Sequence, residues 1–252
     1  MTTFFARNPV FTYDEFARFL ESRGSMSRKT RDNLLDYHIK AGHVIRVTRG
    51  LFASVPPVSG PANAPVDAYL LASRMSRDAV LGYHTALELH GKAHSVHERF
   101  LYLTGHPRKT SSIEFRGHAF QGVLFPKALR DKGQEFFGVR NVNRAGLPVR
   151  VTSLERTLVD LMDRPDLGGG WEEIWKSLES VEFFDLDEVE EYALMLGNRT
   201  TVAKVGFYLE AHREDLMVED RHLEQLRKHC PKQRTYMGRR SDEPRRTGYR
   251  LT

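Results

Sequence analysis

The chain has 252 residues, of which 40% are hydrophobic and 28% charged, and its formal net charge is +5. This composition is typical of a folded globular protein, no apolar run approaches the ~18 residues of a membrane-spanning helix, and the first residues lack the pattern of a secretory signal. The single cysteine, Cys230, excludes a disulfide framework and a multi-cysteine zinc site, so we expect a cytoplasmic protein with one large domain or two modest ones.

Charge is distributed unevenly along the chain. Residues 1–57 and 58–170 each carry a net charge of +4, residues 171–224 carry −10, and residues 225–252 carry +7. A basic N-terminal segment suits a polyanionic partner such as DNA. The acidic segment suits a basic protein partner or the basic C-terminal segment, and it is also typical of an ordinary charged helical surface. The sequence does not decide between these interpretations of the acidic segment.

A proline-rich stretch marks the clearest boundary. Four prolines fall within residues 56–65, and proline interrupts both helices and central strands. We therefore predict an N-terminal domain at 1–57, a linker at 58–65 and a larger domain at 66–252. A domain of ~55 residues buries only about 60% of its chain surface, so we expect it to lean on its neighbour.

Two helices are predicted in the N-terminal domain. Thr12 and Glu15 have the spacing of a capping box, and the helix that they open is expected to end at Gly24. The second helix is predicted over 27–41, with Ser27 as its N-cap. Helical periodicity divides this second helix into two opposite rows. The row expected to pack comprises Thr30, Leu34, Tyr37 and Ala41, with Leu35 and Ile39 on its flank. The row expected to face outward comprises Lys29, Asn33, Asp36 and Lys40.

A hairpin is predicted after the second helix. Ile45 and Val47 alternate with polar residues as in a half-buried strand, and Arg49-Gly50 supplies a turn. Two helices followed by such a hairpin are the order of a winged helix-turn-helix, whose second helix enters the major groove. A helical hairpin packed on a β-hairpin without nucleic acid has the same order. The cations favour DNA binding, and the expected contacts are Ser27, Arg28, Lys29, Thr30, Asn33, Lys40, Arg46, Thr48 and Arg49.

Three segments resemble the AbiEi-type antitoxins of bacterial type IV toxin–antitoxin systems. The matching residues are Ser27-Arg28 with Thr30 and Gly42–Ala53, then Leu81–Gly91, then Val151–Leu161 followed by Arg164-Pro165 and Gly168–Gly170. The resemblance implies an N-terminal domain that binds inverted repeats in double-stranded promoter DNA. It also implies a C-terminal domain that supports repression and counteracts a nucleotidyltransferase-type toxin.

The larger domain is predicted to segregate its strands and helices, which makes the fold class α+β. Helices are expected near 66–76 and 79–90, followed by an antiparallel meander from Phe100 to Val151. Thr152 and Glu155 have the spacing of a second capping box. Further helices are expected near 171–181, 186–196, 201–212 and 215–229, with Trp171 and Trp175 in the core.

No catalytic, cofactor or metal site is expected. His84, His90, His94 and His97 lie close in sequence, but their spacing matches no standard zinc pattern. Glu155, Asp160 and Asp163 lack the neighbouring lysine and strand carboxylates that a nuclease requires. We expect a non-enzymatic repressor and antitoxin; a ligand-responsive transcription factor and a DNA-targeted nuclease are the alternatives. The basic tail at 227–250 suits DNA or an acidic protein, or it is simply solvated.

Overall fold

A computed structural model describes residues 2–24 and 26–231 of the chain, and it has the predicted α+β class. The first part contains these elements: α1 (Thr2–Arg7), β1 (Val10–Thr12), α2 (Tyr13–Glu21), α3 (Arg28–Lys40), β2 (Val44–Thr48) and β3 (Leu51–Ser54). The three strands form one antiparallel sheet in the order β1-β3-β2. The helices cover this sheet through a core rich in phenylalanine, and we call residues 2–54 the small unit.

The first capping box is confirmed. The Thr12 hydroxyl accepts the Glu15 N–H at 3.2 Å, and the Glu15 carboxylate accepts the Thr12 N–H at 2.6 Å. Helix α2 ends at Glu21, three residues before the predicted stop at Gly24. Neither α1 nor β1 was predicted, because six and three residues are too few to show a hydrophobic period.

The prediction of which side of α3 packs is wrong in part. Leu35 and His38 are its buried residues, whereas Thr30 is exposed and Tyr37 is 61% exposed. The cause is α1, which places the Phe5 ring edge-on to the His38 ring at 4.9 Å. This contact turns His38 toward the core and leaves Tyr37 outside. Burial in this position lowers the pKa of His38.

Residues 55–67 contain no helix or strand, as the prolines predict. This connection is held in place by the Arg116 guanidinium, which donates to the carbonyl oxygens of Pro61 and Ala64. Val10 and Leu51 of the small unit also pack into a hydrophobic cluster of the following segment. The small unit therefore rests on its neighbour, and the domain boundaries themselves stay a prediction.

A six-stranded sheet organises the remainder of the described chain. Its strands, in the spatial order β6-β7-β5-β4-β9-β8, are β4 (Val80–Leu81), β5 (Arg99–Thr104), β6 (Ser112–Phe115), β7 (His118–Leu124), β8 (Val139–Arg144) and β9 (Leu147–Thr152). Its helices are α4 (Ala68–Ala72), α5 (His84–Leu89), α6 (Lys127–Arg130), α7 (Leu154–Asp163), α8 (Trp171–Leu178), α9 (Leu186–Leu196), α10 (Arg199–Ala211) and α11 (Asp220–His229).

The predicted antiparallel sheet is in fact mixed. Strands β5 and β7 are parallel, as are β4 and β9, while the other pairs are antiparallel. Alternating hydrophobicity identifies a strand but carries no information on its direction. Here residues 105–111 carry the chain to the sheet edge, so that β7 returns between β6 and β5. The predicted helix at 79–90 is also wrong in its first half, because residues 80–81 form β4.

Strand β5 is buried on both faces. Leu101 and Leu103 pack with α7–α11, while Phe100 and Tyr102 pack with α4 on the opposite face. The sequence of a strand that is covered on both faces is a continuous run of apolar residues. Residues 100–103 have this pattern. Trp171 and Trp175 pack against the first of these cores, as predicted. No helix within residues 2–24 and 26–231 combines the length and apolar character that crossing a bilayer requires.

The predicted capping box at Thr152 is replaced by a different cap. Ser153 is the N-cap of α7, and its hydroxyl accepts the Arg156 N–H at 3.2 Å. Glu155 instead accepts the backbone N–H of Asp185 at 3.1 Å. The two candidate N-caps are adjacent in sequence, so the pattern alone could not separate them.

Candidate nucleic-acid interface

Helix α3 presents most of the predicted DNA contacts to solvent. Ser27 caps the helix by accepting the Thr30 N–H at 3.2 Å, and the two hydroxyls lie 2.8 Å apart. The predicted contacts that are exposed along the helix are Arg28, Lys29, Thr30, Asn33 and Lys40. Arg28, Lys29 and Lys40 form no ion pair with a carboxylate in the described part of the chain. These cations are free to meet an anionic partner.

Two aspartates on α3 are already engaged. Asp32 accepts a hydrogen bond from the Tyr13 hydroxyl at 2.5 Å, and this bond raises the pKa of Tyr13. Asp36 pairs with the Arg46 guanidinium at 3.5 Å. Both carboxylates therefore have a donor, which reduces their repulsion toward a phosphate backbone.

The β2–β3 hairpin lies beside the exposed face of α3. Arg46 joins the hairpin to Asp36 of the helix and lies over the Phe52 ring, 5.7 Å from its centroid. Gly50 has φ +80° at the turn, a conformation that glycine adopts without strain. The Gly50 carbonyl accepts the Tyr13 N–H at 2.9 Å, which fixes the tip against the start of α2. Arg49 is exposed at this tip.

The predicted contacts divide between two neighbouring surfaces. Arg28, Thr48 and Arg49 line one groove, which places the first residue of α3 and the hairpin tip on a shared wall. Lys29, Asn33 and Lys40 do not line that groove and occupy the outward side of α3. We call Arg28, Lys29, Asn33, Lys40, Arg46 and Arg49 the basic face of the small unit.

A histidine–carboxylate cluster lies in the larger part of the protein. His84, His97 and Glu173 have potential ligand atoms within 4.8 Å of one another. The spacing of the histidines gives no sign of Glu173, which is distant in sequence and contacts them from α8. The two imidazole rings are stacked at 3.6 Å with an interplanar angle of 6°. One ion cannot lie in the plane of both stacked rings, so metal binding would require a ring to rotate.

Side chains and backbone groups of neighbouring elements contact this cluster. The His84 ring nitrogens lie 3.3 Å from Glu88 and 3.1 Å from Glu173. Ser95 donates its N–H and its hydroxyl to Glu173 at 2.9 and 2.8 Å. Burial alone raises the pKa of Glu173, but the bonds from Ser95 and His84 outweigh it and lower this pKa to about 2. The cluster joins α5, α8 and the loop before β5.

The carboxylates of Asp160 and Asp163 in α7 bind side chains of neighbouring helices. Asp160 lies 3.4 Å from the Arg156 guanidinium and accepts the Tyr192 hydroxyl at 2.6 Å. Asp163 accepts from Asn198 and Thr201 at 2.8 and 2.6 Å. These bonds tie α7 to α9 and α10, and they occupy both side chains.

The acidic segment 171–224 is partly neutralised by local ion pairs. Asp187 pairs with Arg221, Asp220 with Arg213, and Glu210 with Arg227. The N-terminal part of the predicted basic tail, Arg227 and Lys228, belongs to α11. The remaining residues of that prediction lie outside the described residues: Lys232, Arg234, Tyr236, Arg239, Arg240, Arg245, Arg246, Tyr249 and Arg250.

The overall fold is similar to that of a protein of known crystal structure. The match to the RV2827C protein from Mycobacterium tuberculosis has a TM-score of 0.55 and 16% sequence identity, and it covers 92% of this chain and 80% of that chain. No protein-family model and no curated protein matches the chain. The likeness therefore concerns the fold.

Proposed function

We propose that the small unit is a winged helix-turn-helix that binds double-stranded DNA, and that the protein represses transcription. The observation that carries this proposal is the basic face. Here Arg28, Lys29 and Lys40, which have no carboxylate partner among the described residues, and Asn33 lie beside an arginine-tipped hairpin. In this arrangement α3 enters the major groove and the hairpin contacts the neighbouring backbone. Asn33 suits bidentate contact with adenine, and Arg28 or Lys29 suits guanine or phosphate.

The proposed function extends to the role of an antitoxin. Its support is the resemblance to the AbiEi-type antitoxins. The matching residues are Ser27-Arg28 with Thr30, Gly42–Ala53, Leu81–Gly91, Val151–Leu161, Arg164-Pro165 and Gly168–Gly170. The protein would bind inverted repeats in the promoter of its own operon and counteract a nucleotidyltransferase-type toxin encoded beside it. Co-expression tests this role directly. The chain should restore growth of cells that express the neighbouring nucleotidyltransferase gene, and continued growth arrest would contradict the antitoxin role while leaving DNA binding open.

Replacing Asn33 with alanine is expected to weaken binding to the DNA upstream of the gene by about 1–3 kcal/mol. Binding to a scrambled duplex should not change, because a base-reading contact contributes only on the correct sequence. Fluorescence anisotropy with both duplexes measures the difference. Gln225→Ala is the matched control, since Gln225 is an exposed amide on a helix outside the basic face.

Replacing Arg49 with alanine is expected to act on all sequences alike. Loss of one phosphate contact should reduce the slope of log K against log salt by about 1 for both duplexes. Arg199→Ala, which removes an exposed cation at the start of α10, should leave the slope unchanged. The proposed function is wrong if the unaltered protein binds its upstream DNA no better than the scrambled duplex at any salt concentration.

A further inference from the structure

The groove that holds Arg28 and Arg49 has a second wall from the larger part of the protein. On that side it is lined by Arg77, Arg108, Lys109 and Arg150. These residues come from the turn before β4, the turn after β5 and strand β9. The groove has a volume of about 1450 Å³, so it is a substantial cleft between the two parts.

The groove has a large excess of positive charge. Nine lysine and arginine residues line it, against three carboxylates. Each carboxylate already pairs with an arginine of the groove: Asp14 with Arg77, Glu15 with Arg74, and Glu21 with Arg31. Among the described residues, the cations that line the groove without a carboxylate partner are Arg18, Arg28, Arg49, Arg108, Lys109 and Arg150. The surrounding protein has a low dielectric constant, so it concentrates the electric field of these cations within the groove. This field attracts anions.

The turn that carries Arg108 and Lys109 is firmly anchored. The Tyr102 hydroxyl donates to the Lys109 carbonyl at 2.7 Å, and burial raises the pKa of Tyr102 to about 12, so the hydroxyl keeps its proton. The turn packs directly on Gly122 of β7, where an added Cβ would overlap the Lys109 carbonyl oxygen. Asp78 accepts the Gly105 N–H at 2.6 Å. The backbone is therefore fixed while the Arg108 and Lys109 side chains are exposed.

We propose that this groove holds the phosphate backbone of the same DNA duplex that α3 reads, with Arg108 and Lys109 as the contacts from the larger part. The inference rests on the proposed function. It extends that function, because the protein would contact a longer stretch of DNA than the small unit contacts alone. A duplex is favoured over an acidic protein because Arg28, at the start of α3, and Arg49, at the hairpin tip, line the same groove.

The variant Arg108→Gln/Lys109→Gln tests this inference. Loss of two phosphate contacts should reduce the slope of log K against log salt by about 2. Affinity for the upstream and scrambled duplexes should fall by the same factor, because phosphate contacts do not read sequence. Lys127→Gln/Lys132→Gln is the matched control, since it removes two exposed cations that do not line the groove. This control should keep the slope of the unaltered protein.

The length of the DNA supplies a second measurement. Removing flanking base pairs from the upstream duplex should weaken the unaltered protein until its affinity equals that of Arg108→Gln/Lys109→Gln. The shortening should have little effect on that variant, because its flanking contacts are already lost. A variant that keeps both the full salt slope and the full dependence on length would overturn the groove contact.

The outcomes separate this inference from the proposed function. If Asn33→Ala and Arg49→Ala weaken binding but Arg108→Gln/Lys109→Gln does not, the small unit binds DNA and the groove inference is wrong. If the unaltered protein binds no DNA, the proposed function fails first. If the groove variant keeps its DNA affinity but loses binding to the purified product of the neighbouring gene, the groove serves an acidic protein surface and the DNA assignment is overturned.

Discussion

Replacing Arg156 with methionine is expected to lower the free energy of unfolding by about 3–5 kcal/mol. Arg156 is 0% exposed, and its guanidinium lies 3.4 Å from the buried Asp160 carboxylate. It also donates to the carbonyl oxygens of Glu135 and Phe137 at 2.8 and 2.6 Å. Methionine fills much of the space but provides no donor. The substitution therefore leaves a buried carboxylate and two carbonyl oxygens without their partner.

Asp160 is the group that makes this loss large. Burial raises the pKa of Asp160, and the Arg156 charge opposes that rise. Without Arg156 only the desolvation remains, so the carboxylate must take up a proton or remain charged and unpaired. The double variant Arg156→Met/Asp160→Asn removes the stranded charge and keeps an acceptor for the Tyr192 hydroxyl. It should therefore be less destabilised than Arg156→Met alone.

Urea unfolding curves measure both effects. Arg164→Met is the control, because Arg164 pairs with Asp166 at 3.0 Å on an exposed part of the surface, where such pairs contribute about 0–1 kcal/mol. Equal midpoints for Arg156→Met and Arg164→Met would show that the buried pair does not stabilise the fold. A double variant as unstable as Arg156→Met would show that the stranded charge is not the cause.

The Arg156–Asp160 pair also explains the composition of one resembling segment. Both residues belong to Val151–Leu161, and their contacts reach the loop before β8 and Tyr192 of α9. The segment thus joins elements that are separated by more than thirty residues of sequence. Its charged residues Glu155, Arg156 and Asp160 therefore hold neighbouring elements of the fold together.

Local signals correctly predicted two helix caps of the small unit. The caps at Thr12 and Ser27 were identified from single side chains, because a cap forms within one helical turn. The side of α3 that packs was not predictable, since it depends on Phe5 of a helix too short to recognise. Strand direction in the six-stranded sheet was equally hidden, because it depends on how the chain returns after β5.

The same division holds for the candidate interface. The exposure of Lys29, Asn33 and Arg49 agrees with the helical and hairpin patterns that suggested them. The second wall of the groove could not be predicted, because Arg108 and Arg150 line the same groove as Arg28 only when the small unit packs on the larger part. The residues of the basic face lie close together in the sequence, so they could be identified from it. The larger excess of positive charge in the groove arises only when the chain folds.

Replacing Glu173 with glutamine is expected to lower the free energy of unfolding at neutral pH by on the order of 2–3 kcal/mol. The Glu173 side chain is 11% exposed, and its pKa of about 2 lies below the ordinary value of 4.5. A pKa that is lower in the folded state stabilises the fold fully above pH 4.5. That contribution is lost as the pH falls from 4.5 toward 2. Glutamine keeps the size of the side chain and removes the charge that His84 and Ser95 bind.

Thermal unfolding between pH 7 and pH 2 measures this contribution. The unaltered protein should lose stability steeply below pH 4.5, and Glu173→Gln should show a shallower loss from a lower starting value. Some acid dependence should remain, because hydrogen bonds from His84 and the His97 N–H also lower the pKa of Glu88 against the effect of burial. Glu172→Gln is the matched control, since Glu172 precedes Glu173 and its one ion-pair partner among the described residues is the exposed Lys176. If both variants keep the acid dependence of the unaltered protein, the cluster does not link α5 to α8 through charge, and its stacked histidines must stabilise the fold by packing.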